Sequence, residues 1–231
     1  MKTGCLLALL ICCVAGYCHA ESDIAVYVDG ESKYISEGRN NLPNGGIVWS
    51  GIDYHHGALL LFERQGIATS EDYIEFNGGI GYQLQLADWQ LTGSYTRLEF
   101  FGDERCHDNE LAAQLEYQAI EWLTPTLVYT HATAANGGFL EFSLTGHWPL
   151  SDNFELAPYV TQGWDFGFAT ADHDGLNNLQ FGVVGELQVN SQWALALHVS
   201  RTLAQRDIKD EQGDQCQTQQ TFGGVMFSYQ F

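Results

Sequence analysis

The sequence predicts an all-β protein: a transmembrane antiparallel β-barrel of about twelve strands, with short periplasmic turns and longer outer loops. Three observations carry this expectation. Apolar and polar side chains alternate over runs longer than ordinary strands, the connections between runs alternate short and long, and the last run carries alternating aromatics and closes on Phe231. The composition agrees. Of 231 residues 45% are hydrophobic and 13% aromatic, and only 16% are charged, which argues against disorder. A net charge of -20, from 9 Lys plus Arg against 29 Asp plus Glu, would repel phosphates, so no nucleic-acid partner is expected.

The N-terminus reads as an export signal over residues 1–20. Met1-Lys2-Thr3 is a short basic start, Cys5 to Ala15 is an apolar stretch, and Cys18-His19-Ala20 offers small residues for cleavage after Ala20. The barrel is then expected over 21–231. Of the six cysteines, Cys5, Cys12, Cys13 and Cys18 fall within the signal. Cys106 and Cys216 remain, an even pair bound for an oxidising compartment, and a disulfide between two outer loops is expected of them. No later stretch approaches the ~18 apolar residues of a membrane helix.

The alternating runs fall at 24–37, 46–56, 58–67, 72–86, 89–101, 109–121, 125–134, 138–149, 154–167, 177–189, 192–204 and 219–231. A period of two sorts side chains onto opposite faces of a strand, as in Leu179-Phe181-Val183 against Gln180-Gly182-Val184. Most runs reach the ~9–11 residues a tilted membrane strand needs, against ~5–6 for an average strand. Short connections at His56-Gly57, Ala87-Asp88, Trp122–Thr124, Leu150–Asn153 and Asn190-Ser191 alternate with generally longer ones, from 38–45 to 205–218. An even strand number places both termini at the short-turn, periplasmic rim.

Phe227, Tyr229 and Phe231 form a C-terminal aromatic strand that resembles the assembly signal of bacterial outer-membrane proteins. That resemblance implies outer-membrane lipid and the barrel-assembly machinery as partners and the bacterial outer membrane as location. Trp49, Tyr54, Tyr73, Trp89, Trp122, Trp148, Trp164 and Trp193, near strand ends, fit interfacial girdles. Phe100, Phe222 and Trp49 also read as inward residues near one rim. A soluble β-sandwich or lipocalin-like barrel is the competing fold, with the apolar face turned inward.

At the level of short segments the chain resembles the TorF-like family of outer-membrane porins of Gram-negative bacteria. The likeness rests on 32–38 (SKYISEG), 72–82 (DYIEFNGGIGY), 93–97 (GSYTR), 123–129 (LTPTLVY) and 138–142 (GFLEF). It implies an outer-membrane channel of unspecified solute and transfers no catalytic residue.

Alternation assigns Asp53, Glu63, Glu75, Glu116, Glu141, Glu155, Asp165 and Glu186 to the lumen, because a mid-strand carboxylate facing lipid is costly. Arg64, Arg97, His131, His147 and His198 are candidate partners for them. The remaining negative charge favours cations over anions. With twelve strands tilted ~40° the backbone radius is roughly 12 Å, which suits a narrow passage for ions or small solutes. A hydrogen-bonded network that plugs the barrel is the alternative, leaving a non-conducting structural or adhesive protein that binds a partner through its outer loops.

Residue types that serve catalysis are also present. A lipid hydrolase, the third reading, would need an outward Ser–His pair, whereas His198 and Ser200 alternate inward. Asp103, His107 and Asp108, or Asp172-His173-Asp174, hold protease-type residues without a diagnostic spacing. Asp172-x-Asp174-Gly175 is a fragment of a calcium loop lacking its distal Glu. The sequence therefore predicts no catalytic residue, metal or cofactor.

Overall fold

A computed structural model describes residues 22–102, 105–169, 174–212 and 219–231. Its main sheet closes on itself as a twelve-stranded antiparallel barrel. The wall runs through β1 (Ser22–Glu31), β4 (Ile47–His56), β5 (Leu59–Ala68), β6 (Tyr73–Leu86), β7 (Trp89–Gly102) and β8 (Cys106–Tyr117). It continues through β9 (Leu123–Ala132), β10 (Gly137–Gly146), β12 (Phe154–Phe166), β13 (Asp174–Gln188), β14 (Trp193–Ala204) and β15 (Gln219–Gln230). β15 pairs with β1, from Ala25↔Gln230 to Glu31↔Gly224, so no edge is left open. The twelve expected runs and the twelve wall strands coincide in number and order.

The short connections lie at the rim that also holds both ends of the barrel, and the opposite rim carries the longer ones, chiefly 32–46 and 205–218. β11 (Trp148–Ser151) continues β10 beyond a break at His147 and pairs with β12 through a register shift. There the chain turns toward the side chains of Thr124 and Glu155, each 2.9 Å from an imidazole nitrogen of His147.

The outer face is apolar. Val28, Ile80, Leu111, Leu197 and Val199 are each about half exposed or more, which makes sense only where lipid replaces water. Trp89, Trp122, Trp148 and Trp193 are exposed at the short-turn rim, where Trp193 packs on Tyr229 and Tyr229 on Phe231. Phe227 is also exposed on this face. Tyr73 is corrected from the expected girdle, and of the two readings of Trp49 the inward one holds. Trp49 and Tyr73 point into the barrel, where both meet the ring of Tyr34. Gly66 leaves the room for Trp49, whose ring would lie 2.4 Å from a Cβ at that position.

The buried apolar residues sit inside the barrel toward the long-loop rim. One cluster joins Tyr34, Leu42, Ile47 and Trp49, and another joins Ala132, Phe139 and Phe168. Two differences from the sequence reading explain them. The first strand ends at Glu31 and not at residue 37, and the chain beyond it folds inward as a loop with its own two-residue strands, β2 (Ile35–Ser36) and β3 (Arg39–Asn40). The 205–218 connection contains a helix, α1 (Arg206–Gln212), whose Ile208 and Asp207 are buried.

A closed barrel resists detergent until it is heated. We expect unboiled protein to migrate differently from boiled protein on a denaturing gel; identical migration would contradict the closed sheet.

Candidate functional site

The lumen is the interior of the barrel, and its lining follows from the strand registers. Inward positions are even on β5 and β7 and odd on β4 and β6, as shown by the buried set Trp49, Glu75, Asn77, Thr92, Thr96, Leu98 and Phe100. Asp53, Glu75, Glu116, Glu141, Glu155, Asp165 and Glu186 all lie on this inner face. Their circumstances differ. Glu75 is fully buried and accepts hydrogen bonds from the hydroxyls of Tyr34 (2.8 Å) and Tyr73 and from the Asn77 amide (2.7 Å). Asp165 accepts from the backbone N–H groups of Phe168 (2.6 Å) and Ala169 (3.1 Å), folding the loop after β12. Glu116 accepts from Gln118 (2.8 Å), and Glu155 pairs with His147. Asp53, Glu141 and Glu186 make no hydrogen bond among the described residues, and Glu186 faces Glu155 across the strand pair.

Alternation misplaces three residues. Glu63 lies beside Ile52 and Gly78 on the outer face of β5, because Arg64 takes the inward position, over the Trp49 ring at 3.9 Å and 3.8 Å from Asp29. Arg97 faces outward near the outer end of β7, where Glu99 neutralises it at 2.7 Å. His131 faces outward on β9, beside Leu111. Of the expected basic partners, Arg64, His147 and His198 therefore face the lumen. Cys106 is exposed at the start of β8, while Cys216 lies outside the described residues, as do Asp103, Asp172 and His173.

The inward loop is the feature the strand pattern did not announce. Its hairpin turns at Glu37 and Gly38, both with positive φ (44° and 75°), the pairing a tight hairpin of native twist demands. Gly38 is required twice over, since a Cβ there would meet the Asn178 side chain at 2.5 Å. Glu37 adopts the same backbone region at a cost of about 1–2 kcal/mol, held by its surroundings. Tyr34 reaches the wall at Glu75, while Asn177 donates to the Glu37 carbonyl at 2.8 Å from the facing side. The loop thus spans the lumen from β6 to β13.

Arg39 anchors it. Its guanidinium lies 3.3 Å from Asp207 and 3.1 Å from Glu211 on α1, and 4.0 Å from Asp165. It also donates to Asn177 Oδ1 (2.9 Å) and to the Glu37 carbonyl (3.0 Å). One largely buried cation therefore joins the first loop, α1 and the β12–β13 wall. Between loop and helix lies a cavity of about 320 Å³ bordered by Lys33, Arg39, Leu42, Ile208 and Gln220. Burial pushes the Glu37 carboxyl well above the ordinary carboxylate range, helped by Glu141 and Glu110, while the Ser36 hydroxyl and Arg39 pull it down. The seated loop therefore binds this proton more tightly than the unseated loop does. Seating therefore gains from this group at low pH and loses that gain as pH rises through the raised value.

Glu31, His198 and Ser200 form a second inward chain. His198 Nε2 is 3.0 Å from Glu31, its Nδ1 is 3.2 Å from Ser200 Oγ, and that oxygen is 2.6 Å from the Tyr159 hydroxyl. The order is that of a hydrolytic triad, but Ser200 is 1% exposed and wedged against Gly182 on the lumen side, away from lipid. Among the described residues no group of three or more His, Cys, Asp or Glu is arranged to hold a metal ion.

Comparison with models of known protein families gives no match, and comparison with curated proteins gives none. Solved structures do match. A KdgM porin in complex with disordered oligogalacturonate superposes with a TM-score of 0.62 at 9% identity, covering 90% of this chain and 99% of that one. The NanC porin gives 0.55 at 10% identity, over 88% and 98%. An outer membrane channel from Pseudomonas putida F1 gives 0.52 at 11% identity, over 91% and 95%. The chain has the fold of outer-membrane porins.

Removing the anchor tests the site's construction. Arg39→Gln leaves Asp165 and Asp207 buried without their cation, which costs about 3 kcal/mol of loop seating. Backbone amides of 34–42 are then expected to exchange about a hundredfold faster by hydrogen–deuterium exchange, with the strands unchanged. Unaltered protection would show that Arg39 does not hold the loop.

Proposed function

We propose that the chain is a narrow passive channel of the bacterial outer membrane, preferring cations, and a relative of the TorF-like porins. Export by a signal cleaved after Ala20 and recognition of Phe227, Tyr229 and Phe231 by the barrel-assembly machinery belong to the same reading. The porin fold supports the channel. The cation preference rests on one observation: Asp53, Glu141 and Glu186 face the lumen without a hydrogen-bonded partner among the described residues, while the inward bases Arg64, His147 and His198 already face Asp29, Glu155 and Glu31 and His55 stands beside Asp53. Unneutralised carboxylates along a narrow, low-dielectric passage concentrate cations and repel anions. The oligogalacturonate of the KdgM complex is a polyanion. The solute here is therefore a different one, an inorganic cation or a small cationic or neutral molecule.

The loop across the lumen favours a second reading, a barrel that does not conduct and acts through its outer loops. Current across a planar bilayer separates the two. Discrete steps with a cation-selective reversal potential in a salt gradient are expected. Glu141→Gln with Glu186→Gln should lower the cation-to-anion permeability ratio about twofold, whereas Glu75→Gln, committed to three hydrogen bonds, should lower it less. Correctly folded protein without current would support the non-conducting reading.

A further inference from the structure

The outward face of β5 reads Leu59, Leu61, Glu63, Gln65, Ile67, and that of β4 reads Val48, Ser50, Ile52, Tyr54. Register sets Ser50 beside Gln65 and Ile52 beside Glu63, with Gly78 of β6 on the other side of Glu63. The three polar side chains make one island, ringed by the exposed apolar residues Val48, Ile52, Leu61, Ile67, Phe76 and Ile80. β5 has ten residues between the short-turn rim and the long-loop rim. At ~3.3 Å per residue and ~40° tilt it spans roughly 25 Å, the height of the apolar band of such a barrel, so its fifth residue, Glu63, falls near the midplane.

Elsewhere the corresponding fifth residue from that rim is apolar or small: Tyr82, Gly93, Leu127, Phe142 and Leu197. The other outward charges on the strands, Arg97, Glu99 and Arg201, lie toward the outer ends, at headgroup depth. Acyl chains cannot solvate a carboxylate. Nor does the chain itself provide a partner: Arg97 shares a cross-strand row with Glu63, but Gly78 lies between them and Arg97 is engaged by Glu99 and Asn109. Glu63, Gln65 and Ser50 make no side-chain hydrogen bond among the described residues.

We propose that the β4–β5 face is the contact surface for a second copy of this chain, side by side in the same membrane. The island contains its own complement. Glu63 accepts, the Gln65 amide and the Ser50 hydroxyl donate, and a two-fold axis along the membrane normal brings the two islands together at the same depth, within reach of one another's side chains, as an isologous interface requires. The surrounding apolar side chains supply the dry rim that such a polar contact needs, with the Phe76 ring lying over Gly78.

The test uses the full chain in its native membrane, with a photoreactive phenylalanine analogue at position 65 or, as a control on the opposite wall, at Phe181. Irradiation is expected to give a product of twice the protein's mass at position 65 and none at 181. Sedimentation in mild detergent should find a dimer, and Glu63→Leu with Gln65→Leu should give a monomer that retains heat-modifiable migration. A monomeric wild type with no doubled product would overturn the proposal. So would equal doubled product at both positions, or a product containing a different protein. If the double variant does not fold, the cross-linking of the otherwise native chain still decides.

Discussion

The register between β1 and β15 joins the two ends of the barrel, and the rest of the molecule depends on it. In hydrocarbon no water is present to satisfy an open strand, so each backbone N–H and C=O of the wall needs a neighbour, and only closure supplies one to the first and last strands. Closure also fixes which face of each strand meets lipid. Val26 and Val28 of β1 turn outward beside Tyr229 and Phe227, and Tyr27 and Asp29 turn inward beside Ser228 and Met226. The aromatic end of the chain is thus a structural seam as well as the segment that resembles an assembly signal.

Closure creates a lumen, and the polar residues inside it divide into two groups. Some carboxylates hold the structure together: Glu75 gathers Tyr34, Tyr73 and Asn77, and Asp165 folds the loop that follows it. Others, including Asp53, Glu141 and Glu186, face the lumen with no side-chain hydrogen bond among the described residues. The 32–46 loop links the groups. It stands on the first through Tyr34 and Arg39, and it brings Glu37 toward Glu110 and Glu141 on the far wall. Shape and charge of the lumen are therefore set together, by one loop and the wall it faces.

Much of this was legible in the sequence because lipid and water impose opposite demands on successive residues, and a period of two survives in every strand. The assignments that failed did so where that period stops carrying information. Tyr34 and Ser36 alternate with Ile35 as a strand would, but Glu37-Gly38 forms a tight turn and sends the chain into the lumen. Glu63 and Arg64 are adjacent charges, so one of them had to face outward, and only the Trp49 ring and Asp29 decide that Arg64 points in. Trp49 and Tyr73 lie near strand ends, where girdle and lumen positions look alike until the register is known. Arg39 gave no local signal, because its three carboxylates come from residues more than a hundred positions away.

In the proposed channel the 32–46 loop limits the passage while the wall carboxylates select the ion. Glu31 and Ile47 are cross-strand partners, so a tight two-residue turn can replace the loop without disturbing either strand. Single-channel conductance of this shortened chain, compared with the intact one, tests the claim most directly. A clearly larger conductance with cation preference retained is the predicted result. Unchanged conductance, or a loss of ion preference with the loop alone, would contradict it.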